Sequence, residues 1–337
     1  MTLRAAMIDL LRCPQSGKSL RLENPGGGER AGETGALVCS DGPQRYPIRN
    51  EVPRFVPESN YADNFGMQWN KFSRTQLDSH SGHPISADRF CGATAWSPAD
   101  LKGKRVLDIG CGAGRFAEVA ARAGADVVAL DYSTAVDACH ANLAHFDNVL
   151  VIQGDIYAPP LREQSFDFVY SLGVLQHTPD VERAFKCLPP LVAPGGRLCV
   201  DFYEKSWKSA LLPKYWLRPF TKRMPKSKLF SLLEVLVPTL LPASSVLGKI
   251  PVIGRQLKRI VPVANYAGEL PLDHQQQLEW SLLDTFDWLS PEFDNPQNAA
   301  TVRSWLEDAG MESIEVLKAG HLVGRGVKPK RLDAAPT

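Results

Sequence analysis

The chain has almost no net charge, no cysteine framework and no long apolar run, and each shortage closes off a class of function. Its 337 residues carry 38 Lys and Arg against 37 Asp and Glu, for a formal net charge of +1. That balance argues against a general nucleic-acid binder, which relies on a strong basic field. The seven cysteines, at 13, 39, 91, 111, 139, 187 and 199, follow no regular spacing. They suggest free thiols in a reducing cytoplasm rather than a disulfide scaffold. The opening stretch MTLRAAMIDLLRCPQSG lacks a long apolar core and a small-residue cleavage site, so no signal peptide is read. No stretch approaches about 18 uninterrupted apolar residues, which predicts no membrane-spanning helix. What remains is 44% apolar and 22% charged, enough to bury a sizeable core.

Local patterns divide the chain into parts. Residues 1–57 read as a small β-rich module: a short helix, a knuckle at Cys13-Pro14, three strands and a flexible loop at Gly26-Gly27-Gly28. Residues 58–100 read as connector helices, with Phe65, Trp69 and Phe72 at helical spacing. Residues 101–202 alternate strand and helix: strands at 105–109, 126–130, 149–153, 166–171 and 197–202, helices at 115–123, 134–144 and 180–192. Such alternation predicts right-handed crossovers and a parallel sheet with helices on both faces. Residues 203–275 interrupt this pattern, residues 276–328 resume it with a helix and a strand pair, and residues 329–337 read as a disordered tail.

The most informative stretch is RVLDIGCGAGRFAEVA, residues 105–120. An apolar strand runs into Gly110-x-Gly112-x-Gly114, and a helix follows. A dinucleotide fingerprint spaces its glycines Gly-x-Gly-x-x-Gly, so the third glycine here arrives one residue early. The shorter turn resembles the S-adenosylmethionine loop of class I methyltransferases. Acids stand near the ends of the first three strands, at Asp108, Asp131 and Asp155, and ligands of such sheets lie outside the carboxyl ends of the strands. QGDIYAPP, SFDFVYSLGVLQHTPD and LVAPGGRLCVDFY then match later family motifs in the right order.

The resemblance implies an α/β fold, a doubly wound and mostly parallel seven-stranded Rossmann-like sheet, with a ribbon domain before it and a helical insertion after the fifth strand. It implies S-adenosylmethionine as cofactor, S-adenosylhomocysteine as product, and a cofactor site of Asp108, Gly110, Cys111, Gly112, Gly114, Asp131, Tyr132, Asp155, Ile156 and Leu172. Asp131 would accept both ribose hydroxyls, Asp155 the adenine amino group, and Ile156 would pack near the ring. His177, at the end of the fourth strand, is either a catalytic base or a residue that orders its loop. Gln68 and Trp69 on the connector, and Asp284 and Asp287 near the C-terminus, are the substrate candidates; the two acids would otherwise cap and pack their helix. The N-terminal module resembles the zinc-ribbon domains that accompany some RNA methyltransferases. Cys13 and Cys39 remain, but Ser16 and Asp41 stand where ligands are expected. Structural zinc wants four ligands, so no metal is expected.

The insertion carries the charge that the whole chain hides. From Glu204 to Ile260 there are twelve Lys and Arg against two Glu, a local net charge of +10, which leaves −9 for the remainder. Bulky apolar residues alternate with the basic ones, and prolines at 213, 219, 225, 238, 242, 251 and 262 predict a series of short helices. Three readings stand: a helical lid alone, a lid that also touches an anionic membrane or a lipid-linked substrate, or an RNA-binding segment. The cell address follows as cytoplasmic, with peripheral contact at the inner membrane surface under the second reading.

The whole arrangement resembles bacterial type 11 methyltransferase-domain proteins, including the ubiquinone O-methyltransferases. That resemblance points to O-methylation of a small-molecule, glycan or lipid-linked hydroxyl. RNA or protein methylation, and a non-catalytic cofactor-binding adaptor, are the rival readings. No specific nucleic-acid partner is expected, and no Asn-Pro-Pro-Tyr-like amide-methylating motif follows the fourth strand.

Overall fold

The computed structural model describes residues 5–23, 33–57, 60, 62–206 and 212–330. The Gly26–Gly28 loop, the insertion's residues 207–211 and the tail from 331 onward lie outside them. Two sheets organise the rest. The first is antiparallel, with strands β1 (Leu20–Glu23), β2 (Glu33–Cys39), β3 (Arg45–Arg49) and β4 (Val52–Pro53) in sequential order. The second has seven strands: β5 (Arg105–Ile109), β6 (Asp126–Asp131), β7 (Val149–Gln153), β8 (Phe166–Ser171), β9 (Val192–Phe202), β10 (Glu312–Ala319) and β11 (His321–Val327). Their order is β10-β11-β9-β8-β5-β6-β7. Every pair from β7 to β9 is parallel, and only β11 runs antiparallel to its neighbours. This is the doubly wound sheet expected, with the switch of direction between β5 and β8 that opens a crevice at the strand ends.

The strands form where apolar residues run without interruption. Val106, Leu107, Val127, Val128 and Val169 are fully buried between two helical layers, as parallel strands require. The small sheet is joined to the large one by backbone. Phe55 N–H donates to Gln153 O at 2.9 Å, and Arg54 reaches Asp137 at 2.5 Å from a side chain only 7% exposed. The edge of β7 is therefore covered. Cys13 and Cys39 lie in one hydrogen-bonded cluster, Cys13 Sγ with Tyr46 Oη at 3.2 Å and Cys39 Sγ with Ser16 Oγ and Asp41 Oδ1 at 3.3 Å each. Burial works to raise the Cys13 thiol, but hydrogen bonds from Ser16 and Tyr46 outweigh it and bring it down to about 7.

Three elements differ from the sequence reading. The helix expected over 180–192 ends at Lys186; Pro189 and Pro190 cannot continue it, so a 3-10 turn leads into β9. That strand starts at Val192, not 197, because Pro194-Gly195-Gly196 form an irregularity within it and not a preceding turn. The insertion is not cut into short helices throughout. A 23-residue helix, Lys226–Gly248, runs through Pro238 and Pro242. Both prolines stand on its exposed side, where water can serve the carbonyls that lose their partners. This helix also has the length and composition of a membrane span, with a mean hydropathy of 1.7 over a window that is 33% buried. Ser231, Glu234 and Thr239 interrupt its apolar run without lowering the average far, which is why counting uninterrupted residues passed over it. Its inner face, including Leu229, Phe230, Leu233 and Val237, forms one core with Leu283, Phe286 and Leu289 of the helix His274–Leu289.

Candidate functional site

The glycine turn between β5 and the helix Arg115–Arg122 is held in a shape that only glycine adopts easily. Gly110, Gly112 and Gly114 have φ of 85°, 52° and 93°. A Cβ on Gly110 would stand 2.3 Å from Val174 Cγ2, and one on Gly112 would stand 3.1 Å from the Trp69 ring. Trp69 comes from the helix Asp63–Lys71 and covers the turn. Asp131, at the end of β6, ties the turn down: one carboxylate oxygen accepts from Gly112 N–H at 2.9 Å, the other from Ser133 N–H and Oγ at 2.8 and 2.7 Å. Burial raises the Asp131 carboxyl despite these donors.

A cavity of about 880 Å³ opens over this turn. Gly110, Cys111, Gly112, Asp131, Tyr132, Ile156 and Leu172 line it, as do Gln68, Trp69, His177, Asp284 and Asp287. Three expected residues are placed otherwise. Asp108 is 2% exposed beneath the turn, and its Oδ2 has no hydrogen-bond partner. Burial raises its carboxyl to about 8. Gly114 starts the helix and faces Cys139 and Leu143. Asp155 is half-buried and accepts from Tyr157 N–H at 2.9 Å, while its neighbours Gly154 and Ile156 line the cavity.

A family model described as a methyltransferase domain matches residues 107–200, the segment that supplies the turn, Asp131 and His177. The segment 107–200 is thus similar to methyltransferase domains. Over 144 residues the chain is 33% identical to a ubiquinone biosynthesis O-methyltransferase of Rhizobium etli, covering 41% of this chain and 58% of that protein. Over 113 residues it is 34% identical to the protein of the same name in Coxiella burnetii, covering 33% of this chain and 48% of that one. The chain thus spans about half the length of these relatives. Among solved structures, a magnesium protoporphyrin IX methyltransferase of Synechocystis is 18% identical, covering 72% of this chain and 84% of that one, with a TM-score of 0.39.

Beyond the methyltransferase domain's own motifs, the cavity continues into a polar chamber. His177 sits on a short turn after β8, 7% exposed. Its Nδ1–H donates to Phe293 O at 3.1 Å, since a carbonyl can only accept. In the neutral ring Nε2 is then the acceptor nitrogen; it is buried and has no hydrogen-bond partner. Phe65 and Tyr203 hold the ring, with centroids 5.3 and 5.5 Å away. Tyr203 donates to Asp287 at 3.3 Å, and Gln68 donates to the other oxygen of Asp287 at 3.4 Å. Tyr266 donates to Asp284, as does Gln76 at 3.3 Å. Burial, eased by the Tyr266 bond, leaves the Asp284 carboxyl raised to about 6.

Sequence reasoning missed Gln76, Arg115, Tyr203, Tyr266, Trp280 and His321, all of which line this chamber. Arg115 donates to Gln76 Oε1 at 2.6 Å and Ser86 Oγ at 3.1 Å, and its guanidinium lies 5.9 Å from the Trp280 ring. Burial lowers Arg115 to about 9 and His321 to about 4. Arg115 directly follows the glycine turn and Tyr203 directly follows β9, positions that face the strand-end crevice; that was the available signal. Tyr266 and His321 carry no local motif.

Proposed function

We propose that the protein is an S-adenosylmethionine-dependent O-methyltransferase acting on a small or lipid-linked hydroxyl compound. The residues present fit the cofactor. The backbone of Gly110 and Gly112 lines the cavity in a turn whose packing against Val174 and Trp69 leaves no room for a Cβ, and the Asp131 carboxylate borders the same space with lone pairs left for ribose hydroxyls. Bound there, the sulfonium supplies an electrophilic methyl group. The protein's task is then to hold a nucleophile in line with it and to take the nucleophile's proton. The ubiquinone biosynthesis relatives are named for O-methylation, and a cavity of about 880 Å³ suits a small acceptor beside the cofactor.

The observation that carries the reading is His177. Its Nδ1 is committed to Phe293 O, so Nε2 is left as a buried, unpartnered base at the cavity wall. A hydroxyl placed against it would fill its hydrogen bond and pass it a proton as the oxygen gains the methyl group. Asp284 and Asp287, with Tyr266, Tyr203 and Gln68 already bonded to them, would orient further polar groups of the acceptor.

With a labelled methyl donor and fractionated cell extract, label should enter small-molecule or lipid fractions. Label recovered in RNA or protein would overturn the acceptor class, and none in any fraction would favour a binding adaptor. His177→Gln should cut turnover on the order of 100-fold while cofactor affinity measured by calorimetry stays within a factor of about two. Unchanged turnover would remove His177 from the chemistry.

A further inference from the structure

The exposed apolar surface of this protein is concentrated in one place. Of twelve large apolar side chains exposed among the described residues, eleven lie between Trp216 and Ile260. The helix Lys226–Gly248 presents four of them along one face. Its inner face is committed to the core it shares with the helix His274–Leu289. Its outer face shows Leu232, Val235, Leu236 and Val246, exposed by 43, 66, 37 and 65%. Between Leu232 and Val246 the only charge is Glu234, which is paired with Lys71 at 2.9 Å. At 1.5 Å per residue this uncharged stripe runs about 21 Å.

Basic residues bracket the stripe. Lys222, Arg223 and Lys228 stand at one end and Lys249 at the other; all four are exposed, and none makes an ion pair among the described residues. The preceding helix, Pro213–Thr221, adds Trp216 and Phe220, one turn apart and 63 and 72% exposed. Its other side is anchored, with Arg218 donating to Trp288 O at 2.9 Å and Pro291 O at 3.0 Å, and Thr221 to Leu289 O at 2.9 Å. After the long helix, Val252 is 95% exposed with φ of 66°, a costly conformation for a β-branched residue. A lid that only covered the cavity would need none of this apolar surface on its wet side.

We propose that the outer face of residues 213–260 is a docking surface for an anionic lipid bilayer. The charge decides the partner. Interfaces between protein copies deplete lysine around their apolar centres, whereas here unpaired lysines and an arginine frame the apolar stripe. A helix lying in the plane of a membrane has this design: apolar side chains enter the acyl boundary while basic ones meet the headgroups. The local net charge of +10 in a chain of +1 is the matching long-range feature. The long helix lies on the surface and does not cross it, because its inner face belongs to the protein core.

The test is co-sedimentation of the full chain with vesicles of phosphatidylcholine alone or mixed with phosphatidylglycerol. The protein should pellet with the anionic vesicles at low salt. It should release as the Debye length falls from about 10 Å at 0.1 M to about 3 Å at 1 M. Reversing Lys222, Arg223, Lys228 and Lys249 to Glu should weaken partitioning by about 100-fold or more. Lys226 is left out because it donates to the Lys222 and Ser290 carbonyls. A second variant, Val235→Ser with Leu236→Ser and Val246→Ser, should also lose binding. Cofactor affinity checks that both variants are folded, since the cavity lies elsewhere. Wild-type protein that stays in solution with anionic vesicles at low salt overturns the proposal. So does a folded charge-reversed variant that binds as before, or a dimer by light scattering that the serine variant dissociates while vesicles capture neither.

Discussion

Asp108 offers the sharpest physical test, because its carboxyl is sealed beneath the glycine turn. It is 2% exposed, its Oδ2 lacks a partner, and burial first, with the neighbouring Asp131 charge adding to it, raises it to about 8. In the unfolded chain the same group titrates near 4. Between those values the unfolded state has lost its proton and the folded state has kept it. Stability must therefore fall as pH rises through this window, and level off above the folded value. The usual carboxylate gains stability over the same range, so the sign is diagnostic. Each pH unit is worth about 1.4 kcal/mol, so from pH 5 to pH 8 wild-type should lose about 4 kcal/mol through this one residue. Asp108→Asn keeps the shape and removes the titration. Any packing penalty of the amide is equal at both pH values and cancels in the comparison. Urea unfolding of both proteins at pH 5 and pH 8 should show the variant gaining on wild-type by about 3–4 kcal/mol. A difference that stays constant between the two pH values would mean that Asp108 is ionised in the folded protein and not held as a buried neutral acid.

Two further outcomes are expected. Asp131→Ala should weaken S-adenosylmethionine binding by about 1–3 kcal/mol, since the ribose hydroxyls lose a charged acceptor and Gly112 N–H loses its tie; calorimetry showing equal affinity would take Asp131 out of the site. Purified protein should hold well under one zinc per chain, because Cys13 and Cys39 are bonded to Tyr46, Ser16 and Asp41 and not to a second cysteine pair; elemental analysis finding stoichiometric zinc that is lost on Cys13→Ser would reverse this.

The parts of the fold that were legible in the sequence are those governed by short-range rules. Strands at 105–109, 149–153 and 166–171 are where uninterrupted apolar residues put them, and the glycine spacing located the turn. Errors arose where two local rules compete. Pro189 and Pro190 end a helix, yet Pro238 and Pro242 do not, because the latter lie on a wet helical face whose opposite side is fixed by Phe286 and its neighbours. The glycine-turn end of the cavity was legible for the same reason, being built by consecutive strand ends. The polar chamber beyond it was not. It is assembled from Gln76, Arg115, Tyr203, Tyr266, Trp280 and His321, residues far apart in sequence and brought together by tertiary packing, which leaves no periodicity to read. Asp284 and Asp287 were singled out as acids, but their partners Tyr266 and Tyr203 come from other segments.

The insertion also sets the order in which the sheet can be finished. Strand β11 pairs with β9, Phe202 opposite Leu322, so 120 residues separate two neighbours in one sheet. Closing a loop of that length costs about 2 kcal/mol more entropy than closing one of about a dozen residues, and the contacts that repay it come only with the closure itself. During synthesis β9 is an open edge until those residues have followed it out of the ribosome. The half-sheet from β7 to β9, which holds the glycine turn, Asp131 and the start of the His177 turn, has a shorter wait, for its most distant paired residues, Val106 and Phe168, are 62 positions apart in the chain. The protein can therefore assemble the glycine-turn end of the cavity first and close the polar chamber, which needs Tyr266, Trp280 and His321, only once the hairpin of β10 and β11 has docked.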